Sequence, residues 1–207
     1  MKDLFSLAGR TALVTGGSRG IGKMIAAGFV AQGAKVYISA RKAQACEATA
    51  AELSKGGGTC IPIALDISEV GGARSLAATL GSREKKLDIL VNNAGAAWLE
   101  PFDKFPEKGW DKVMDLNVKS PFFLTQALHG LLKAAAMPDR PAKVINITSI
   151  DGISVTPQET YSYGASKAAL IHLTKRLALK LIEDNIVVSS LAPGAFPSEM
   201  NVMARDE

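Results

Sequence analysis

Short apolar runs alternate with alanine-rich segments of helical period along almost the whole chain. The runs are rich in β-branched residues and lie at 11–15, 35–40, 59–65, 87–92, 143–148 and 186–191. The helical segments lie between them, at 21–32, 42–55, 69–80, 108–136 and 161–184. This alternation predicts βαβ units with right-handed crossovers and therefore a parallel sheet. Because the runs are apolar throughout, helices should cover both faces of that sheet.

The length and composition are those of one α/β domain. The chain has 207 residues, of which 47% are hydrophobic, and this is enough to bury a sizeable core. No linker, low-complexity tract or fixed-period repeat divides it, so we expect residues 1–207 to form a single domain. No run approaches the roughly eighteen apolar residues that a membrane span needs. The first residues also lack the apolar stretch of a signal peptide, and we expect a cytoplasmic protein.

Neither the cysteines nor the net charge points to a disulfide framework, a metal site or nucleic acid. Cys46 and Cys60 fall in a predicted helix and a predicted strand, and His129 and His172 are too far apart in sequence to suggest metal ligation. The formal net charge of +4 is modest, and acidic residues dominate other stretches of the chain. We therefore expect no metal ion and no nucleic-acid partner.

A glycine-rich turn follows the first predicted strand. The strand 11–15 continues directly into Gly16-Gly17-Ser18-Arg19-Gly20-Ile21-Gly22. Glycines permit a positive φ and the close approach of a ligand. The helix that follows offers free amide hydrogens and a positive dipole end to a phosphate. The spacing differs from the common dinucleotide fingerprint Gly-x-Gly-x-x-Gly, and an ordinary left-handed turn is the alternative.

Basic residues after the second predicted strand favour NADP(H) over NAD. There is no Asp or Glu between Leu4 and Cys46, although an acidic residue at this strand end is what binds the ribose 2′-hydroxyl of NAD. Arg41 can instead meet a 2′-phosphate with its planar fork of donors. Arg19, inside the glycine turn, is placed to reach the same group. The alternative is that both are solvated residues of a basic surface.

Tyr163 and Lys167 are four residues apart at the start of a predicted helix, and Ser149 precedes Tyr163 by fourteen residues at the end of a predicted strand. A spacing of four places both side chains on one helix face. An ammonium beside a phenol favours the phenolate, so we expect Tyr163 to titrate below its ordinary pKa of about 10. Tyr161 has Ala165 in the equivalent position. A chance Tyr-x-x-x-Lys with a solvated lysine is the alternative.

The order of these motifs resembles that of classical short-chain dehydrogenases/reductases, from about Leu7 to Met200. The elements that carry the resemblance are Thr15-Gly16-x-x-x-Gly20-Ile21-Gly22, Asn92-Asn93-Ala94-Gly95, Asn117, Ser149, Tyr163-x-x-x-Lys167 and Pro193-Gly194. Residues 192–200 and the stretch around Ile153 look most like 3-oxoacyl-carrier-protein reductases of the rhamnolipid-synthesis type. The resemblance implies a Rossmann-type, doubly wound parallel sheet.

The resemblance also implies roles for four catalytic residues in the transfer of hydride from a nicotinamide to a ketone. Tyr163 would donate a proton to the carbonyl oxygen, and Ser149 would hydrogen-bond that oxygen. Lys167 would favour ionised Tyr163 and bind the nicotinamide ribose. Asn117 would support a water-linked proton path, and its alternative is a polar residue that breaks a helix locally.

Position and resemblance together predict a set of residues that contact NADP(H). These are Gly16, Ser18, Arg19, Gly20, Ile21, Gly22, Ser39, Arg41, Asp66, Ile67, Asn93, Ala94, Gly95, Tyr163, Lys167, Pro193 and Gly194. Asp66 is expected to contact the adenine, and a role in the entry to the next helix is compatible with that.

The substrate is less constrained by sequence than the chemistry. We expect the reduction of a 3-oxoacyl thioester, with an acyl carrier protein as a candidate partner that Lys119, Lys175 and Arg176 could attract. The alternatives are a reductase or dehydrogenase of a polyol, sugar or small ketone, and a non-catalytic NADP(H)-binding module. The family resemblance implies a homo-oligomer, either a dimer or a tetramer.

The resemblance also predicts a sheet that lacks its last strand. Classical members of the family close the sheet with a seventh strand, whereas this chain stops at Glu207. We therefore expect the sixth strand to be an edge and the carboxyl-terminal part of the domain to be missing.

Overall fold

The computed structural model describes residues 4–194, and its strands form one parallel sheet. The six strands are β1 (Thr11–Thr15), β2 (Lys35–Ala40), β3 (Thr59–Ala64), β4 (Ile89–Asn92), β5 (Ala142–Ile147) and β6 (Ile186–Leu191). Their order across the sheet is β3-β2-β1-β4-β5-β6, and every neighbouring pair is parallel. The predicted Rossmann-type fold is therefore confirmed.

Helices connect successive strands. They are α1 (Gly20–Ala31), α2 (Ala43–Ser54), α3 (Val70–Gly81), α4 (Glu107–Met114), α5 (Ser120–Ala135) and α6 (Tyr161–Leu181). Most ends agree with the predicted ends to within one or two residues. Short 3₁₀ turns lie at 102–104, 150–152 and 182–184. The first two were not predicted, and the third ends the segment 161–184 that was predicted to be helical.

The two faces of the sheet bury two separate apolar clusters. All five residues of β1 are buried, and alternate side chains point to opposite faces. Leu13 packs into a cluster that includes Leu80 of α3 and Leu128 of α5. Val14 packs into a second cluster that includes Ala26 of α1 and Ala50 of α2. Helices on both faces explain why the strands are apolar throughout.

The predicted helix 108–136 is interrupted. Residues 107–114 and 120–135 are α-helical, but Asp115–Lys119 form a π-helical turn between them. A π turn accommodates one additional residue in the helix and often lies at a functional site. Asn117 is buried within this turn.

The strand order places a crevice between β1 and β4. The chain runs outward from β1 through β2 to β3, and then from β4 through β5 to β6. At such a reversal the connections leave the sheet in opposite directions, and ligands bind outside the carboxyl ends of the strands.

Within the described residues, β6 pairs only with β5 and is an edge strand. No helix among residues 4–194 combines the length and apolarity that a membrane span requires.

A buried polar chain joins the middle of the sheet to α6, and it predicts a large loss of stability on truncation. Asn92 Nδ2 donates to Asn146 Oδ1 (2.9 Å), and Asn146 Nδ2 donates to Thr174 Oγ1 (2.8 Å). Asn146→Ala would leave the Asn92 amide without its acceptor on β5. We expect the free energy of unfolding in urea to fall by about 2–4 kcal/mol. Ser75→Ala, which removes an exposed hydroxyl, should change it by less than about 0.5 kcal/mol.

Candidate active site

The glycine turn is shaped for close approach at the start of α1. Gly16 and Gly20 have positive φ values of 65° and 52°. A Cβ on Gly22 would lie 2.3 Å from the Gly16 carbonyl oxygen and 2.4 Å from Asn93 Nδ2, so this position requires glycine. The first amides of α1 have no partner within the helix and can bind an anion at this end of the sheet.

Thr15 and Asn93 hold the ends of β1 and β4 together across the crevice. Thr15 Oγ1 accepts hydrogen bonds from the backbone amides of Asn93 and Ala94, both at 3.0 Å, and donates to the Val91 carbonyl at 3.3 Å. Asn93 Nδ2 donates to the Thr15 carbonyl at 2.9 Å. These bonds fix the position of the glycine turn relative to residues 93–95.

The predicted adenosine end lies beyond β2 and β3. Arg19 and Arg41 are exposed there, whereas the side chain of Ser39 is buried and its carbonyl accepts from Gly17. Asp66 is exposed, and its Oδ1 accepts from the Ser68 amide at 2.9 Å. This turn leads toward α3, so a role of Asp66 in the entry to that helix agrees with its local geometry.

Thr49 is a buried contact to the glycine turn that the sequence patterns did not reveal. It belongs to α2, and its hydroxyl donates to the Ser18 carbonyl at 3.0 Å. Ser18 immediately precedes Arg19, so this bond restrains the middle of the turn. Only the tertiary packing of α2 brings Thr49 there, and no local spacing signals it.

Ser149, Tyr163 and Lys167 converge at the carboxyl end of β5 and the first turns of α6. Ser149 lies close enough to Tyr163 for its hydroxyl to lower the pKa of the phenol. The Lys167 ammonium lies 5.5 Å from the centroid of the Tyr163 ring. The predicted spacing thus brings the three side chains together, and Tyr161 instead contacts Phe102 and Phe105.

The expectation of a lowered pKa for Tyr163 was wrong. Burial raises the pKa of this phenol, and the nearby Asp151 carboxylate raises it further, while the adjacent Ser149 hydroxyl acts in the opposite direction. The Lys167 ammonium donates to the Ile147 carbonyl at 2.8 Å, and it does not offset the burial of Tyr163. Tyr163 is therefore a protonated donor at neutral pH.

Lys167 is itself strongly perturbed. The side chain is buried, with 4% of its surface exposed, and burial lowers its pKa from 10.5 to about 8. The ammonium is held among apolar elements by one backbone carbonyl, which makes it a group that can exchange a proton near neutral pH.

Asn117 connects the π turn to the catalytic helix and to the loop after β4. Its Oδ1 accepts from the Ala96 amide at 2.8 Å, and its Nδ2 donates to the Ala96 carbonyl at 2.9 Å. The same Nδ2 donates to Ser166 Oγ at 2.9 Å. A Cβ on Gly95 would lie 3.7 Å from Lys167 Nζ, so this loop passes directly over the lysine.

Pro193 and Gly194 close the same edge of the site. The Pro193 carbonyl accepts from the Ile150 amide at 3.1 Å, which places residues 193–194 next to Ser149. Residues 195–200, the remainder of the segment that carries the narrower resemblance, lie outside the described part of the chain.

The residues present fit a dinucleotide. A turn that only glycine can form opens onto the amides of α1, exposed arginines lie at the far end of β2, and a buried lysine lies at the near end beside Gly95. These features lie along the carboxyl edge of the sheet on either side of the crevice.

A family model described as short chain dehydrogenase matches residues 10–207. The chain belongs to the short-chain dehydrogenase family. Within that family it is 52% identical, over 97% of its length, to the rhamnolipids biosynthesis 3-oxoacyl-(acyl-carrier-protein) reductase of Pseudomonas aeruginosa, of which it covers 78%. It is 33% identical to the 5-keto-D-gluconate 5-reductase of Escherichia coli K12, matching all of this chain and 80% of that enzyme.

Solved structures of short-chain dehydrogenases agree with this assignment. The structure described as the Pseudomonas aeruginosa RhlG/NADP active-site complex superposes with a TM-score of 0.96 at 50% identity, covering 100% of this chain and 80% of that one. A short-chain dehydrogenase of Burkholderia cenocepacia in complex with NADP superposes with a TM-score of 0.85 at 32% identity, covering 94% and 78%. The predicted family and enzyme class are confirmed.

The Thr49 hydrogen bond predicts a defect in cofactor binding. Thr49→Val keeps the shape of the side chain and removes the donor to the Ser18 carbonyl. Loss of one buried hydrogen bond of about 1–2 kcal/mol should weaken NADPH binding roughly 5- to 30-fold, as measured by fluorescence titration. Thr49→Ser retains the hydroxyl and should bind NADPH nearly as wild type. Equal binding by Thr49→Val and wild type would show that the bond does not restrain the turn.

Burial of Lys167 predicts a specific dependence of stability on pH. Between pH 8 and 10.5 the unfolded chain keeps a proton on this lysine that the folded chain has lost, so the contribution of Lys167 to stability rises with pH across that window. Lys167→Met lacks the titration. The unfolding free energy of wild type minus that of Lys167→Met, measured in urea, should therefore increase by about 3 kcal/mol between pH 7 and pH 10.5. A constant difference would mean that the ammonium is not buried as described.

Proposed function

We propose that this short-chain dehydrogenase uses NADPH to reduce the ketone of a 3-oxoacyl thioester to a secondary alcohol. The observation that carries the proposal is the convergence of Ser149, Tyr163 and Lys167 beside the loop that carries Gly95. The identity of 52% with a 3-oxoacyl-(acyl-carrier-protein) reductase supports the choice of substrate.

In this proposal Tyr163 is the general acid. Its raised pKa keeps the proton on the phenol until a carbonyl oxygen that gains charge can accept it. Ser149 hydrogen-bonds the same oxygen and so orients the ketone. NADPH, when bound, supplies the hydride to the carbonyl carbon.

We assign the return of the proton to Lys167 and Asn117. With a pKa of about 8, Lys167 can release and regain a proton at physiological pH. Asn117 holds the Ala96 backbone through two hydrogen bonds and donates to Ser166, the neighbour of Lys167 in sequence. Lys167 would also bind the ribose hydroxyls next to the nicotinamide.

The preference for NADPH rests on the arginines at the far end of the crevice. Arg41 and Arg19 would bind the 2′-phosphate, and the predicted NADP(H) agrees with the cofactor named for the related structures. The glycine turn at residues 16–22 and the segments 93–95 and 193–194 would line the rest of the cofactor site, together with Ser39, Asp66 and Ile67 at the adenosine end.

Exposed apolar side chains near Ser149 favour an acyl chain over a polyol. Ile153 is 71% exposed and Val155 is 99% exposed, both in the segment that follows Ser149. Across the site, Phe102 is 75% exposed. A thioester with a hydrocarbon tail would cover these exposed apolar groups, whereas a polyol would leave them in water. We also propose that the protein is cytoplasmic and forms a homodimer or homotetramer, as the family resemblance implies.

A second candidate is a reductase of keto-sugars or polyols, because 5-keto-D-gluconate 5-reductase is 33% identical across the whole chain. The decisive experiment follows NADPH consumption with acetoacetyl thioester, 5-keto-D-gluconate and a diketone, beside a titration of NADPH binding. Preferred turnover of the thioester supports the proposal. Preferred turnover of the keto-sugar contradicts it, and binding of NADPH with no turnover would indicate a non-catalytic module.

The two nearby tyrosines provide a matched pair of variants. Tyr163→Phe removes the proton donor and should lower kcat by about 10²- to 10⁴-fold, while NADPH binding changes little. Tyr161→Phe removes the same hydroxyl from a residue two positions away that contacts aromatic rings, and it should retain wild-type kcat. Retention of most activity by Tyr163→Phe would refute its role as general acid.

A further inference from the structure

The helix α4 carries two lysines that lie over one tryptophan ring. Lys108 Nζ is 6.0 Å and Lys112 Nζ 5.4 Å from the centroid of the Trp98 indole. Trp98 itself packs on Gly109, where an added Cβ would lie 2.7 Å from the ring. The ring is therefore fixed against the helix, and it positions both ammonium groups by cation–π attraction.

The positive charge of this pair is not neutralised by an ion pair. Among the described residues no carboxylate forms a salt bridge with Lys108 or Lys112, whereas Lys119 on the same helical segment pairs with Asp115 at 3.1 Å. Like charges four residues apart on a helix repel each other by a few tenths of a kcal/mol. Two exposed, preorganised and mutually repelling ammonium groups favour an anionic ligand, which would relieve the repulsion.

The pair lies beside the active site. Trp98 is two residues beyond Ala96, so the chain separates their Cα atoms by at most about 7 Å. Asn117 holds Ala96 through both its amide and its carbonyl and also contacts Ser166, the neighbour of Lys167 in sequence. The loop from Gly95 to Trp98 thus joins the surroundings of Lys167 to the helix that carries both lysines.

We propose that Lys108 and Lys112 bind the phosphate of the pantetheine arm that presents the 3-oxoacyl thioester on an acyl carrier protein. This inference rests on the proposed function. The arm carries a phosphodiester at one end and the thioester at the other, so an anion site at the rim and a proton donor in the cleft match its two ends. A keto-sugar has no such phosphate and would leave the pair unused.

The test replaces both lysines by methionine, which keeps an unbranched chain over Trp98 and removes the charges. Lys85→Met/Lys86→Met is the matched control, because it removes two charges from an exposed turn before β4, at the opposite edge of the sheet. Initial rates are measured with the acetoacetyl thioesters of acyl carrier protein, coenzyme A and N-acetylcysteamine. The first two contain the pantetheine phosphate, and the third does not.

For Lys108→Met/Lys112→Met we expect KM to rise roughly 5- to 10-fold with the carrier and coenzyme A thioesters, as befits two exposed charged contacts. kcat, and KM for the N-acetylcysteamine thioester, should stay at the wild-type values. Wild-type KM for the carrier thioester should also increase with salt, and this dependence should weaken in the variant. The control should match wild type throughout.

Several outcomes would overturn the assignment. An unchanged KM for the carrier thioester, an equal rise with N-acetylcysteamine thioester, or the same rise in the control would each exclude a phosphate site on α4. A rise with the carrier alone would assign the lysines to the acidic protein surface instead of the phosphate. Failure of the proposed function looks different, because wild-type enzyme would then consume NADPH with none of the three thioesters.

Discussion

The site depends on the crevice between β1 and β4, and the hydrogen bonds between Thr15 and Asn93 fix the two sides of this crevice relative to each other. They join the carboxyl ends of β1 and β4, the two strands from which the connections leave toward opposite ends of the sheet. The glycine turn follows Thr15, and the loop over Lys167 follows Asn93. Both walls of the crevice are therefore anchored to one pair of residues, and the distance between the walls is set by the spacing of adjacent strands.

The two perturbed groups in the site shift in opposite directions for the same reason. Burial disfavours the charged form of each, so it raises the pKa of the Tyr163 phenol and lowers that of the Lys167 ammonium to about 8. The lysine consequently loses its proton at a lower pH than the tyrosine. A tyrosine that keeps its proton suits the reduction of a ketone, in which the phenol must be an acid. The buried ammonium lowers stability at neutral pH, and this is expected of a group retained for catalysis.

Sequence patterns predicted what local chemistry determines and missed what tertiary contacts determine. The six strands and the turn around Gly20 follow from apolar runs and glycine spacing, and both were predicted. The π turn at Asp115–Lys119 was not, because it depends on the bonds from Asn117 to the Ala96 backbone. The contact of Thr49 with the glycine turn joins α2 to Ser18, a residue 31 positions earlier. The pKa of Tyr163 was mispredicted because the spacing of four residues indicates that Lys167 is near, but it does not indicate that the phenol is buried.

The loop after β4 connects the chemistry to the proposed recognition of the carrier. Asn117 fixes Ala96 from both sides, and two residues later Trp98 fixes the ammonium groups of Lys108 and Lys112. The anion site and the proton donor are thereby held at a constant separation by short, rigid elements. In a substrate that carries a phosphate at one end of its arm and a ketone at the other, binding of the phosphate would therefore position the ketone near the proton donor. Discrimination between carrier-bound thioesters and small ketones would then arise mainly in KM, because the phosphate binds far from the reacting carbon and contributes equally before and during the reaction.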